Sequence, residues 1–226
     1  MPAVVVVAVL WKWRLGPGSA VFAICRMLIQ LLLIGFVLKS LFDSEGSLLV
    51  VTALTIMLFA ASWIALGNLA GSFKTLFPKS LVAIGVSGLT ILLVITQGVL
   101  GLDPWYEAEK LIPLAGMIFA TAMNSVSLAG ERVEVELARS EDYESARAKA
   151  LRAALIPITN SLLAVGLVSL PGMMTGQILA DVSPFIAARY QIMVMCMIFG
   201  AAGISAALFL VIARVDLQEN CKAKSA

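Results

Sequence analysis

The chain has 226 residues, of which 61% are hydrophobic and 13% charged, whereas soluble domains are roughly 45–50% apolar and about 25% charged. This composition predicts an integral membrane protein, and the net charge of +2 is too small to predict nucleic-acid binding. The lack of histidine disfavours most familiar hydrolase mechanisms, and three distant cysteines without a CxxC spacing predict neither a zinc site nor a disulfide framework.

Apolar segments separated by short polar connections predict an all-α polytopic bundle of about seven transmembrane helices. About 20 apolar residues cross a bilayer, so the first segment would form a short helix. We predict a single transmembrane domain over residues 1–226. Its spans in chain order would be Met1–Trp13, Ser19–Leu41, Leu48–Leu69, Ser80–Gly101, Leu111–Ala129, a sixth beginning at Leu155, and Ile192–Ala213.

The distribution of basic residues predicts the orientation of this bundle. Assigning alternate connections to opposite sides places twelve Lys and Arg residues on one side and three on the other. Because basic loops remain in the cytosol, we predict an external N-terminus and a cytosolic C-terminus. The three basic residues on the external side are Lys39, Lys110 and Arg189.

Residues 130–152 form the only long charged segment, reading GERVEVELARSEDYESARAKALR, and they would lie in the cytosol. The pattern fits two helical pieces that meet near Ser140, with Ser140 as the N-cap of the second piece. One interpretation is a solvated connector. The other is an amphipathic coupling element in which Val133, Leu137 and Leu151 contact a partner protein.

Leu155–Gln191 departs from a plain apolar span. It contains prolines and polar side chains, each of which costs free energy in hydrocarbon unless it is paired or lines a cavity. The preceding span, Leu111–Ala129, is also small and polar in its second half. We therefore predict that both segments line a path. The candidate path residues are Asn124, Asn160, Ser161, Met173, Met174, Thr175 and Gln177.

Methionines near the end of the chain allow two interpretations, thioether ligation of a soft metal or simple apolar packing. Met193, Met195 and Met197 alternate at a spacing that scatters them around a helix. Met173 and Met174 follow Pro171-Gly172, where freed backbone carbonyls are tolerated only beside a cavity. The sequence alone assigns no metal ligands.

The run AALIPITNSLLAVGLVSLPGMMTGQILADVSPFIAARYQIMV, Ala153–Val194, resembles the permeases of the FetB-like family of ABC transporters. The likeness extends to PLAGM, Pro113–Met117, and to CRMLIQLLLIGFVLK, Cys25–Lys39. The family is linked to iron export, and its plant relatives to aluminium tolerance. This chain departs from it at Ala120-Thr121, where members often carry Gly-Asn, and in a shorter charged segment.

The resemblance implies the transmembrane subunit of an exporter in the bacterial inner membrane. A separate FetA-like ATP-binding subunit would bind ATP-Mg, and two permease copies would form a homodimer in the lipid. The chain itself lacks the GxxxxGK[ST] phosphate loop, so it is expected to hold no cofactor and not to be an enzyme. Residues expected to couple it to the ATPase are Val133, Leu137, Ser140, Glu141, Asp142 and Tyr143.

Other functions remain open at this point. The predicted spans contain no carboxylate that would mark a divalent-cation site, which favours another cargo such as a nucleotide sugar or a lipid-like molecule. A channel or membrane scaffold would need no ATPase. An intramembrane enzyme is disfavoured because the spans lack histidine and paired carboxylates.

Overall fold

The computed structural model describes residues 2–42, 46–67, 69, 73–139 and 141–225, and the chain forms two compact units, Met1–Leu49 and Val50–Ala226. Regular structure over the described residues is helical, apart from an isolated bridge between Val165 and Ser169, which confirms the predicted all-α class. The helices are α1 (Pro2–Lys12), α2 (Pro17–Phe42), α3 (Ser47–Ala65), α4 (Phe73–Leu93) with a π-helix (Val94–Val99), α5 (Ala108–Ala138), α6 (Tyr143–Ala164), α7 (Gly172–Leu179), α8 (Pro184–Ile212) and α9 (Arg214–Ser225).

The first unit consists mainly of α1, α2 and the turn that joins them. α1 buries none of its residues, and α2 exposes large apolar side chains such as Phe22, Leu28 and Leu32. Arg26 and Gln30 are exposed on α2, but the rest of the described surface of the two helices is mostly apolar, which suits hydrocarbon because a helix satisfies its own backbone hydrogen bonds. This unit therefore has the surface of a lipid-facing hairpin.

The second unit is built around α5, which packs against α4, α6 and α8. One face of α5 is buried at spacings of three or four residues, the repeat with which a helix keeps one seam against its neighbours. Alanines recur along the seam and let the helix backbones approach closely. The buried seam residues are Ala108, Leu111, Ala115, Phe119, Ala122, Val126, Ala129, Val133 and Glu136.

Gly88 allows a close approach between α4 and α5. A Cβ at this position would lie 2.7 Å from Phe119 Cε1 and 3.2 Å from Ile118 Cγ2, and both of those side chains are buried. We expect Gly88→Ala to lower the free energy of unfolding by about 1–3 kcal/mol, the usual cost of overpacking. Thermal unfolding in detergent measures this loss. The matched control is Gly203→Ala, whose Cβ would meet Leu155 at an ordinary 3.8 Å; equal losses in the two variants would contradict the packing argument.

The predicted number of seven spans is not confirmed. Five helices in the described part of the chain are long and apolar enough to cross a membrane: α2, α3, α4 with its π-helix, α5 and α8. α1 has 11 residues, fewer than a bilayer requires. α6 is long enough at 22 residues, but its first half carries Glu144, Arg147, Lys149 and Arg152.

The charged segment belongs to two of the long helices instead of standing apart from them. α5 runs past the predicted end of the fifth span at Ala129 and continues to Ala138, so the first helical piece extends that span. The second piece is the start of α6. The predicted sixth span is corrected as well, because α6 ends at Ala164, seven residues before Pro171. Gly166 follows that end in the left-handed region, φ 83°, which favours glycine.

Candidate functional site

A cavity of about 560 Å³ lies among α5, α6, α7 and α8 in the second unit. We call it the Asn160 cavity. Three of the predicted path residues, Asn160, Ser161 and Met173, line it together. Gly166 and Pro171, which follow α6, turn the chain here, so that α7 begins beside the end of α6. The other lining residues are Met117, Ala164, Val165, Ser169, Pro171, Gly172, Gln191, Val194, Met195 and Ile198.

Gln191 is a polar side chain of this cavity that is not among the predicted path residues. α8 begins at Pro184, so Gln191 lies two turns inside the helix. Met195, four residues later, and Ile198, three residues after that, lie on the same face of α8 and also line the cavity. The side chain is 6% exposed, and its Oε1 atom has no hydrogen-bond partner in the described chain. A buried acceptor without a partner costs roughly 1–3 kcal/mol, which a bound ligand would recover.

Ser161 lines the same cavity. Its hydroxyl donates a hydrogen bond to the Pro157 carbonyl oxygen one turn earlier, at 3.0 Å. With the proton used in this way, the Oγ atom can act towards a ligand only as an acceptor. The cavity therefore offers acceptor atoms from Ser161 and Gln191 on two different helices.

A second cavity of about 360 Å³ adjoins the first, and we call it the Glu109 cavity. The two cavities share Met117 and Met173 as lining residues. Gln177, another predicted path residue, lines the Glu109 cavity, and its buried Oε1 atom also has no hydrogen-bond partner in the described chain. The charged residues in its wall are Glu109 and Lys110, in the first turn of α5.

Three predicted path residues lie elsewhere. Met174 lines a third cavity of about 360 Å³, together with Gln191 and Cys196. Thr175 lines none of these three cavities, and its hydroxyl donates to the Pro171 carbonyl oxygen at 3.1 Å. Asn124 is exposed on α5, seven residues beyond Met117, and lines none of the three either.

Charged side chains around the junction of α5 and α6, together with Tyr143, form what we call the charged end of the second unit. Its residues are Arg132, Glu136, Arg139, Glu141, Asp142, Tyr143, Lys149 and Arg214. Glu136 is its centre: the side chain is 1% exposed and occupies the last position of the α5 seam. Its carboxylate pairs with Arg132, with Lys149 at 3.6 Å and with Arg139 at 3.8 Å. Lys149 belongs to α6, so this buried carboxylate joins α5 to α6.

Tyr143 joins α6 to α8 and α9 at the same end. Its hydroxyl donates to the Leu210 carbonyl oxygen, and the Arg214 guanidinium lies 5.2 Å from the centre of its ring. Burial disfavours the charged phenolate and raises the pKa of Tyr143 to about 12. The phenol therefore stays protonated and keeps its donor at all physiological pH values.

Replacing Tyr143 with Phe removes that hydrogen bond, and we expect a loss of about 1 kcal/mol in the free energy of unfolding near neutral pH. The pH dependence should change as well. Because the folded-state pKa lies above the ordinary value, the contribution of Tyr143 is complete below pH 10 and is lost as the pH rises through about 12. Thermal unfolding between pH 9 and 12 measures it. An alkaline loss as steep in Tyr143→Phe as in the unmodified chain would contradict this role.

The predicted N-cap at Ser140 is wrong. α6 begins at Tyr143 and its N-cap is Asp142, whose carboxylate accepts a hydrogen bond from the Ser145 backbone N–H at 3.1 Å. Asp142 is a cap residue of the same class, two positions later, and Ser140 itself lies outside the described residues.

Hydrogen bonds from Lys149 and Ser145 to the Glu141 carboxylate hold the pKa of Glu141 below the usual range.

The other predicted coupling residues divide by exposure. Val133 and Tyr143 are buried within this chain, and Leu137 is half-buried. A partner docking at the charged end would therefore first meet exposed residues such as Arg139, Asp142 and Lys149. The buried Val133 and Tyr143 would instead hold these exposed residues in place.

Five membrane-capable helices in the described part of the chain define it as a polytopic helical membrane protein, which confirms the predicted membrane localisation. A model of the protein family UPF0014 (Uncharacterised protein family) matches residues 2–144 and 137–217. The chain belongs to this family.

Curated relatives cover most of the chain. It is 34% identical over 222 residues to the probable iron export permease protein FetB of Escherichia coli, covering 91% of this chain and 84% of the relative. A UPF0014 membrane protein of Synechocystis is 34% identical over 203 residues, 83% of this chain and 78% of the relative. The protein ALUMINUM SENSITIVE 3 of Arabidopsis thaliana is 31% identical over 208 residues, 83% of this chain and 73% of the relative. No solved structure matches the chain.

These relatives confirm the resemblance to the FetB-like permeases and to plant proteins connected with aluminium. The similarity spans the charged end and all three cavities, because the matched residues extend from the first helix into α9.

Proposed function

We propose that this chain is the transmembrane permease subunit of an ABC-type exporter of metal cations, powered by a separate FetA-like ATP-binding subunit. Iron is the first cargo to test, because FetB of Escherichia coli carries iron export in its name. The observation that supports the proposal best is geometric. α5 and α6 both run from the charged end to the wall of the Asn160 cavity.

The length of α5 separates the two functional regions. Glu109 and Glu136 are 27 positions apart on this helix, about 40 Å at 1.5 Å per residue. The charged end would face the cytosol, where ATP-Mg is bound and hydrolysed on the partner subunit. The cavities would then lie towards the external side of the membrane. Two permease copies would form the homodimer that pairs with two ATPase subunits.

In this proposal the charged end transmits the movement of the ATPase subunits as one rigid unit. Closure of the ATPase subunits would press on the exposed turn between α5 and α6. Glu136 and Tyr143 tie that turn to α5, α6, α8 and α9, so the helices would move together and not flex separately. Because α5 and α6 also line the Asn160 cavity, the same movement would change its shape.

Cargo charge follows from the lining of the cavities. No Lys or Arg lines the Asn160 cavity, so it offers nothing to neutralise the phosphates of a nucleotide sugar. The wall of the adjoining cavity holds Glu109 and Lys110, and the Lys110 ammonium is paired with Glu107, which leaves the Glu109 carboxylate as the charge available to a cargo. A cation therefore fits the two cavities better than an anion does.

Copurification tests the class of transporter. The chain is co-expressed with a FetA-like ATP-binding protein, and a tag on the permease is used to isolate the complex from detergent extracts. We expect the ATPase to copurify and its activity to rise when iron is added. A chain that conducts ions in liposomes without any ATPase would be a channel, and that result would overturn the proposal.

A further inference from the structure

The Asn160 cavity contains an unusual set of uncharged ligand atoms. Thioether side chains reach its wall from three different helices: Met117 from α5, Met173 from α7 and Met195 from α8. The amide of Gln191 joins them, one helical turn before Met195. Because methionines that only fill space need not converge from three helices on a cavity with a buried amide, packing alone is an incomplete account of them.

The electrostatics of the cavity select among possible cations. No Asp, Glu, Lys or Arg lines it, and no group of three or more His, Cys, Asp and Glu residues in the described chain could hold a metal ion. A hard divalent cation requires charged oxygen ligands or retains its water. Thioether sulfur and neutral amide oxygen instead suit a soft cation of low charge, for which loss of water costs less.

The geometry points to a binding site for one soft monovalent metal cation, Cu(I) or Ag(I), in the Asn160 cavity. Its ligands are the thioether sulfurs of Met117, Met173 and Met195. The Gln191 amide oxygen, which has no hydrogen-bond partner in the described chain, faces the ion. This inference rests on the proposed function only where it treats the cavity as part of a transport path. It adds a soft monovalent metal cation to iron as a cargo of that path.

The shared wall of the two cavities explains how such an ion would move. Met117 and Met173 line both cavities, and Met193 of α8 lines the Glu109 cavity, two residues before Met195 on the Asn160 side. An ion that passes from one cavity to the other exchanges Met195 for Met193 while it keeps the two shared thioethers. Glu109 then offers a carboxylate on the far side.

Silver binding to the purified full-length chain in detergent tests the site without ATP or a partner. Cys25, Cys196 and Cys221 are first replaced by alanine, because cysteine thiols would bind silver themselves. We expect one Ag(I) per chain. Met117→Leu, Met173→Leu and Met195→Leu should each weaken binding by roughly tenfold, which corresponds to about 1.4 kcal/mol. Met197→Leu is the matched control: Met197 is buried on α8, lines neither cavity, and should leave the affinity unchanged.

X-ray absorption at the silver edge provides a result that needs no methionine substitution. In the cysteine-free chain every sulfur neighbour of the ion has to be a thioether, and we expect two or three of them. A silver ion surrounded only by nitrogen and oxygen, no stoichiometric binding, or an equal loss in Met197→Leu would overturn the inference. ATP-driven iron export that persists alongside such a result would leave the proposed function intact, so the two failures are distinguishable.

Discussion

Gln191→Arg should abolish cation export by the permease–ATPase complex while the complex still assembles. The substitution places a permanent positive charge in the wall of a cavity that has no acidic residue to neutralise it. Two like charges about 4 Å apart repel by about 4 kcal/mol at an effective dielectric constant of about 20, or roughly a thousandfold in occupancy. Transport of metal into inverted vesicles measures the loss.

Gln191→Glu provides the control at the same position. It has the same shape as glutamine and the opposite charge from arginine, so we expect cation transport to be retained in it. Loss of transport in both variants would indicate damage to the fold. Transport that survives in Gln191→Arg and fails in Gln191→Glu would contradict a cation cargo and favour an anion such as a nucleotide sugar.

Glu136→Gln should uncouple ATP hydrolysis from transport. The substitution keeps the shape of the side chain and removes the charge that binds Arg132 on α5 and Lys149 on α6. Without that charge the cations repel one another across the turn, and movement of the ATPase is no longer passed to the cavity. We expect ATP-driven transport to fall at least tenfold, about 1.4 kcal/mol, with basal ATP hydrolysis retained.

Glu131→Gln is the matched control for this experiment. Glu131 lies on the same helix, five residues before Glu136, but its side chain is exposed. We expect transport close to that of the unmodified complex. If Glu136→Gln transports as well as Glu131→Gln does, the buried carboxylate has no part in coupling, and its pairing is only structural.

Much of the fold class was predictable because composition determines it. A chain this apolar can satisfy its backbone in lipid only as helices or as a closed barrel, and the segments have helical length. The helix count was less predictable, since apolar runs do not show where a helix continues into water. α5 extends nine residues past Ala129 because its seam continues through Val133 to Glu136, which is buried by its ion pairs.

The candidate site was predictable only in part, because some of its residues lie outside the predicted spans but inside the helices. Asn160, Ser161 and Met173 were found because polar or flexible residues beside prolines stand out in an apolar chain. Gln191 was missed because the last span was predicted to begin at Ile192, whereas α8 begins at Pro184. Glu109 lies between the predicted spans Ser80–Gly101 and Leu111–Ala129, although α5 begins at Ala108. The convergence of Met117 with residues of α6, α7 and α8 is a tertiary contact that no local pattern in the sequence encodes.

Metal transport in vesicles containing the purified permease and its ATP-binding partner tests the central claim most directly. Vesicles oriented with the ATPase outside are given ATP-Mg and a metal cation, and metal accumulation inside is measured over time. We predict accumulation that requires ATP and both subunits, and that disappears in Gln191→Arg. Metal movement that is equal with and without ATP, or no movement of any cation while ATP is hydrolysed, would contradict the account.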